Sequence, residues 1–87
     1  MIIQELIDIE YKGWYVESAD GNIVTLRSDY TEDDIAEIYI KLEKENYVEV
    51  SYSGVDGDGI FFHGANLTPE EVSERTMEAA DNYFDYQ

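Results

Sequence analysis

The chain has 87 residues, of which 21 are acidic and 5 are basic, so its formal net charge at pH 7 is −16. Its length predicts a single domain over residues 1–87, and its 44% hydrophobic content is too high for a disordered acidic tail. The lack of cysteine excludes disulfides and thiolate metal sites, and no apolar run reaches the roughly 18 residues that a membrane span needs.

Residues 2–12 leave two interpretations open. Their apolar side chains fit one face of a helix, and they also fit the alternation of a strand. We favour a short helix that ends near Lys12 and Gly13.

The next segment predicts a β-hairpin. Residues 14–18 and 23–28 are β-prone runs, and a three-residue loop, 20–22, separates them. Glycine within the loop supplies the positive φ that a tight connection needs, and the register keeps one face of the hairpin largely apolar. In this register Val16 lies opposite Leu26, and Ser18 lies opposite Val24.

Residues 31–46 carry two conflicting patterns. Apolar side chains at helical spacing, with a Thr31 and Asp34 pair that resembles a capping box, favour a helix. Alternating apolar residues favour a strand, and Ile-Tyr-Ile is a poor helix core, so we slightly favour the strand. A strand here would pair with the next one through a five-residue loop, placing Ile40 opposite Val50 and Ile38 opposite Tyr52.

Two more strands follow. Residues 47–53 alternate between apolar and polar side chains, the glycine-rich segment 54–59 predicts a turn, and residues 60–62 predict another strand that ends by 64–66.

The C-terminal helix is the clearest element of the sequence. Thr68 is placed as its N-cap, Pro69 at its first position, and Glu71 completes a capping box. The apolar face that can cover a sheet comprises Val72, Thr76, Met77, Ala80, Tyr83 and Phe84. The elements together predict an α+β fold, with an antiparallel sheet of about four strands packed against the C-terminal helix.

Five carboxylates recur along this helix at spacings of three and four residues, which places them on one stripe away from the apolar face. They are Glu71, Glu74, Glu78, Asp81 and Asp85. The stripe is about 21 Å long. Each like-charged pair four residues apart costs about 0.2–0.5 kcal/mol, and Asp81 and Asp85 lie at the end of the helix where lysine is favoured. We interpret the stripe as a surface for a strongly basic partner, against the alternative of an ordinary solvated helix face.

One helix cannot reproduce the charge density of duplex DNA, which is about one charge per 1.7 Å of axis. The surface therefore needs further acidic residues, for which we select Asp33, Asp34, Asp56 and Asp58. Tyrosine combines apolar area with a polar tip and stacks on arginine, so Tyr30 and Tyr86, which lie beside acidic residues, complete the predicted partner-binding set.

Other kinds of site are set aside. The segment 56–59 resembles the start of a calcium loop, but Ile60 and Leu67 occupy positions where such a loop needs oxygen ligands. His63 is the only histidine and lies outside any triad or zinc motif. We therefore expect no catalytic residues, no metal and no cofactor.

In length, charge excess, α+β pattern and acidic stripe, the whole chain resembles small acidic phage proteins that imitate DNA. These include anti-CRISPR inhibitors, restriction-enzyme decoys and the inhibitor of uracil-DNA glycosylase, and we favour the anti-CRISPR group on size and pattern. The resemblance implies that the chain occludes the basic groove of a nucleic-acid-binding protein, such as a defence nuclease or effector complex.

An acidic surface is repelled by nucleic acid and by anionic membranes, so we expect direct binding to neither. The first five residues include no basic region and no signal-like apolar block, so we expect a soluble protein of the cytoplasm. Three alternatives stay open: an immunity protein or antitoxin that covers a cationic toxin, a domain with an acidic surface adapted to high salt, and a carboxylate-based cation-binding protein.

Overall fold

The computed structural model describes residues 1–87, except for the side chain of Glu45. The elements are α1 (Ile3–Asp8), β1 (Tyr15–Asp20), β2 (Ile23–Arg27), β3 (Glu37–Glu43), a short 3₁₀ helix (Lys44–Asn46), β4 (Tyr47–Gly54), β5 (Gly57–Ala65) and α2 (Pro69–Tyr83). The strands form one antiparallel sheet in the order β1-β2-β3-β4-β5, so the fold is α+β as predicted. The sheet has five strands rather than about four, because residues 37–43 form a strand and not a helix.

The core lies between one face of the sheet and α2. The sheet contributes the fully buried side chains of Val24, Leu26, Ile38, Ile40, Val48 and Val50, and α2 contributes Val72, Thr76, Met77 and Ala80. Burying one such aliphatic side chain contributes about 1.5–3 kcal/mol. The residues between these core positions on β3 and β4 are only half-buried, so the opposite face of the sheet is open to solvent.

A bulge changes the predicted register of the first hairpin. Val16 pairs with Leu26 as predicted, but Ser18 pairs with Thr25, so its predicted pairing with Val24 is wrong. The bulge at Glu17 adds one residue to β1, which turns Ser18 to the open face and leaves Gly21 and Asn22 as a two-residue loop. Gly21 has the positive φ, +62°, that such a loop requires.

The strand interpretation of β3 is confirmed, with Ile40 opposite Val50 and Ile38 opposite Tyr52. The helix alternative, which the resemblance of Thr31 and Asp34 to a capping box had favoured, is wrong, because residues 31–36 form a loop. The Thr31 hydroxyl donates to the carbonyl oxygen of Asp33 at 2.9 Å, and the Asp33 carboxylate accepts from the backbone N–H groups of Ile35 at 3.0 Å and Val55 at 2.8 Å. These bonds tie the loop to the turn between β4 and β5.

β5 is longer than predicted because the preceding turn is tighter. Gly54 pairs with Gly57, which leaves only Val55 and Asp56 in the turn. The φ of +117° at Gly57 allows the chain to reverse there. Asp58, predicted to lie in the turn, is therefore a strand residue paired with Ser53.

Both helices were predicted, with different accuracy at their ends. α1 ends at Asp8 rather than near Lys12, because the chain then turns to bury Tyr11 and Trp14 in the core. In α2 the predicted cap is confirmed, since the Thr68 hydroxyl accepts from the backbone N–H of Glu71 at 3.1 Å. Over the residues described, neither helix has the length and apolar character needed to cross a membrane.

Candidate partner-binding surface

Four of the five predicted stripe residues share the outer surface of α2. Glu74, Glu78 and Asp81 are exposed, and Glu71 is half-buried at the start of the helix. The opposite face of the helix carries the buried residues, so the carboxylates point away from the core. From Glu71 to Asp81 this acidic stripe is about 15 Å long.

Asp85 does not belong to the stripe. The helix ends at Tyr83, and Phe84 has extended backbone angles, with φ −91° and ψ 144°. Phe84 leaves the helix so that its ring enters the core, 5.4 Å from the ring of Trp14. The helical spacing that predicted Asp85 on the stripe therefore stops two residues before it.

Glu71 is held by the helix cap. Its carboxylate accepts from the backbone N–H of Thr68 at 3.0 Å. The pKa of Glu71 lies below its usual range, mainly because of this backbone hydrogen bond. The hydrogen bond of the Thr68 hydroxyl and the positive charge of Arg75 lower the pKa further. Glu71 thus stays ionised, but its carboxylate is already hydrogen-bonded to the backbone at the start of α2.

An open groove of about 760 Å³ runs beside α2, and the other three stripe residues of the helix, Glu74, Glu78 and Asp81, line it. Its lining, which we call the α2 groove, comprises Glu10, Lys12, Ser73, Glu74, Met77, Glu78, Asp81 and Asn82. The Ser73 hydroxyl donates to the carbonyl oxygen of Glu10, which holds the segment before β1 against the helix. The groove therefore combines carboxylates with the apolar side chain of Met77. A bound arginine or lysine side chain needs both, because its methylene groups pack on apolar surface while its charge meets a carboxylate.

The two predicted tyrosines adjoin this groove. Tyr30, Tyr86 and Asp81 line one cavity of about 270 Å³ together with Lys12 and Met77, two residues of the α2 groove. Tyr30 is 63% exposed, whereas Tyr86 is half-buried and accepts a hydrogen bond of 3.0 Å from the indole N–H of Trp14. Burial and the neighbouring Asp81 carboxylate raise the pKa of Tyr86, so its hydroxyl remains protonated.

Pairing between the C-terminal tail and residues 30–32 brings these tyrosines together. The backbone N–H of Gln87 donates to the carbonyl oxygen of Tyr30 at 2.7 Å, and that of Glu32 donates to the carbonyl oxygen of Asp85 at 2.9 Å. Because neighbouring residues of an extended segment point to opposite sides, Tyr86 lines the cavity by the α2 groove and Asp85 lines another.

That other cavity, of about 210 Å³, lies in a second acidic cluster. We call it the tail cluster, and its carboxylates belong to Glu32, Asp33, Asp34, Asp56 and Asp85 around Val55. Tyr83 and Phe84 complete the lining of the cavity. Three segments distant in sequence thus contribute acids to this cluster, which lies across the C-terminal tail from the cavity beside the α2 groove.

The predicted site residues therefore fall into separate groups. Glu74, Glu78, Asp81, Tyr30 and Tyr86 lie at the α2 groove, and Asp33, Asp34, Asp56 and Asp85 lie in the tail cluster. Asp58 joins neither group, since its carboxylate accepts from the Ser53 hydroxyl at 3.0 Å on the open face of the sheet. Glu10 was missed, because only the non-local contact with Ser73 brings it to α2, and no spacing in the sequence predicts that contact.

The close ion pairs lie away from both acidic groups, although Lys12 also lines the α2 groove. Among the side chains that the structure describes, the ion pairs within 4.0 Å are Arg27–Glu17 and Lys41–Glu43, and Nε2 of His63 lies 4.0 Å from the carboxylate of Glu49. All three lie on the open face of the sheet, so none involves a carboxylate of the α2 groove or the tail cluster. Within the described residues, no three His, Asp or Glu side chains are placed to hold a metal ion.

Comparison with protein-family models, with curated proteins and with solved structures finds no match to this chain.

Proposed function

We propose that the protein is an inhibitor that imitates nucleic acid and occupies the basic groove of a DNA- or RNA-binding protein. The target class we favour is a bacterial defence nuclease or effector complex, as for the anti-CRISPR proteins that the sequence resembles. The inhibitor would then act in the cytoplasm of the bacterial cell. It works as a competitor that the target can neither cleave nor read.

The α2 groove is the observation that carries this proposal. Its acids Glu74, Glu78 and Asp81 project from a rigid helix, and no described cation pairs with them. Rigid presentation lowers the entropy lost when a partner binds, and unpaired carboxylates are free to meet lysine and arginine. The exposed ring of Tyr30 offers an arginine a stacking surface beside these charges.

The tail cluster supports the same proposal by extending the anionic surface. Its carboxylates lie beyond the end of α2, so the two groups together approach the footprint of a nucleic-acid backbone better than the helix alone. Asp34 and Asp56 are exposed there. A groove that binds phosphates through several lysine and arginine side chains would meet carboxylates from both groups.

A competition experiment tests the proposal. Purified guide-loaded CRISPR effector complexes and a restriction enzyme are each mixed with labelled target duplex, and the protein is titrated in at low salt. We expect loss of DNA binding for at least one target, and recovery as salt is raised, because screening weakens the contacts. Undiminished DNA binding by every target with the protein in excess contradicts the proposal.

Two charge-reversed variants locate the interface. The variant E74K/E78K should weaken inhibition by about 2–5 kcal/mol, the usual cost of losing charges that pair in a desolvated groove. The matched control D20K/E43K makes the same change of net charge at exposed positions on the open face. Equal losses in both variants would mean that only net charge matters and that the α2 groove is not the interface.

A further inference from the structure

Exposed apolar side chains gather at the turn between β4 and β5. Val55 is 71% exposed, more than any other large apolar side chain that the structure describes. It lines two cavities, one of about 210 Å³ shared with the exposed Tyr83 and one of about 270 Å³ shared with Ile35, which is 56% exposed. We call Val55, Ile35 and Tyr83 the apolar patch. Exposed apolar groups that adjoin one another commonly mark a site where another molecule binds.

The preferences of a tight turn do not explain Val55. The two positions of such a turn usually hold glycine, asparagine, aspartate or proline, because these residues adopt turn conformations readily or hydrogen-bond the turn. Valine is β-branched and favours strands, and an exposed valine side chain adds nothing to the core. A residue that departs from the local preference without a gain for the fold is expected at a functional position.

The Asp33 carboxylate holds two members of the apolar patch in place. It accepts from the backbone N–H of Val55 at 2.8 Å and from that of Ile35 at 3.0 Å. Gly54 permits this arrangement, because a Cβ at that position would lie 2.5 Å from an oxygen of the Asp33 carboxylate. Since both segments are already fixed, a partner that covers the patch orders little additional backbone.

The rim of the apolar patch determines the chemistry of its occupant. Exposed carboxylates of Glu32, Asp34, Asp56 and Asp85 line the same two cavities, and no lysine, arginine or histidine lines either one. A second copy placed patch to patch would set these carboxylates against one another, and an anionic membrane would also be repelled. An occupant that buries the apolar patch therefore carries positive charge around an apolar centre.

We propose that the apolar patch binds a basic segment of a protein in which an apolar side chain lies between lysine or arginine residues. The apolar side chain packs against Val55, and the flanking cations meet the carboxylates of the rim. The inference rests on the proposed function only in taking this segment to belong to the inhibited protein. It adds a contact that salt does not screen to a surface that otherwise binds by charge.

Two synthetic peptides test this inference. One is an octapeptide in which single leucines separate pairs of arginines, and the other has serine in place of each leucine, so the charges are equal. In calorimetric titrations at about 0.15 M salt, where distant charges are screened, the leucine peptide should bind about tenfold more tightly because leucine buries apolar area on the patch. Equal affinities, or no measurable binding of either peptide, overturn the inference.

Substitution of Val55 locates the contact. Val55→Ser should abolish the preference for leucine and leave the affinity for the serine peptide unchanged, since every charge is kept. Ile60→Ser is the matched control, because Ile60 is also exposed but lies on the open face of the sheet. Circular dichroism verifies that both variants are folded. An equal loss of preference in the two variants, or a preference that Val55→Ser leaves intact, overturns the inference.

The two proposals fail in distinguishable ways. Competition with DNA reports on the proposed function, whereas the preference for the leucine peptide reports on the apolar patch. A preference that depends on Val55, without loss of DNA binding by any target, would contradict the proposed function alone. Inhibition of a target without any preference for the leucine peptide would overturn the inference from the apolar patch alone.

Discussion

Single carboxylates in this chain have different tasks, which the sequence does not distinguish. Asp33 and Asp34 are neighbours in the same acidic run, yet only Asp33 is hydrogen-bonded to two backbone N–H groups. The side chain of Asp34 is exposed and has no such bond among the described contacts. Both were predicted to bind a partner, but the structure gives Asp33 a role in the fold itself.

Replacing Asp33 by alanine should therefore lower the free energy of unfolding by about 2 kcal/mol, because two backbone donors lose a charged acceptor. Urea denaturation of the variant measures this loss. Asp34→Ala is the matched control and should stay within about 0.5 kcal/mol of the unmodified chain. Similar stabilities for the two variants would remove the structural role assigned to Asp33.

The sequence also does not distinguish which tyrosine side chains are buried. Tyr83 was predicted on the apolar face of the C-terminal helix, but it is 40% exposed, and Tyr39 and Tyr52 on the sheet are half-buried. The buried tyrosine is Tyr11, whose hydroxyl donates to the carbonyl oxygen of Leu6. Tyr11 lies in the turn after α1, where no periodicity predicts which side chain enters the core.

Elements with local signals were predicted well. The start of α2 follows from Thr68, Pro69 and Glu71, and the pairing of β3 with β4 follows from alternating apolar residues, because a shift of one residue would expose the core face. The bulge in β1 was missed because alternation alone does not indicate an inserted residue. The pairing of the tail with residues 30–32 was missed because it joins segments that are distant in sequence.

The contribution of the Thr68 hydroxyl to the stability of α2 can be measured by substitution. Thr68→Ala should lower the free energy of unfolding by about 1 kcal/mol, whereas Thr68→Ser keeps the hydroxyl and most of the stability. Chemical denaturation of both variants measures the difference. Equal losses for alanine and serine would show that the hydroxyl contributes nothing.

The same cap should also respond to pH through Glu71. Its pKa is lowered in the folded chain, so its contribution to stability is present above its unfolded pKa and is lost as the pH falls through the lower folded value. The difference in stability between the unmodified chain and Glu71→Gln should therefore shrink in acid. A difference that stays constant from neutral pH to strong acid contradicts this account of the cap.

At the scale of the whole molecule, charge is divided between the two faces of the sheet. The helix-covered side concentrates unpaired carboxylates at the α2 groove and the tail cluster, while the open face holds the described ion pairs. The sequence predicted the charge excess and the stripe on α2. It did not predict this division, which depends on strand register and on the path of the tail.

A surface of this kind should make the stability of the fold sensitive to ionic strength. Carboxylates that repel one another destabilise the compact state, and salt screens the repulsion, so the melting temperature should rise as sodium chloride is added. In E74K/E78K the rise should be smaller and the starting stability higher, since like-charged pairs on α2, each costing about 0.2–0.5 kcal/mol, become attractive. Differential scanning calorimetry in dilute and concentrated salt measures both effects. If the variant were less stable in dilute buffer, the α2 carboxylates would be stabilising the fold rather than straining it, and their presence would need no basic partner to explain it.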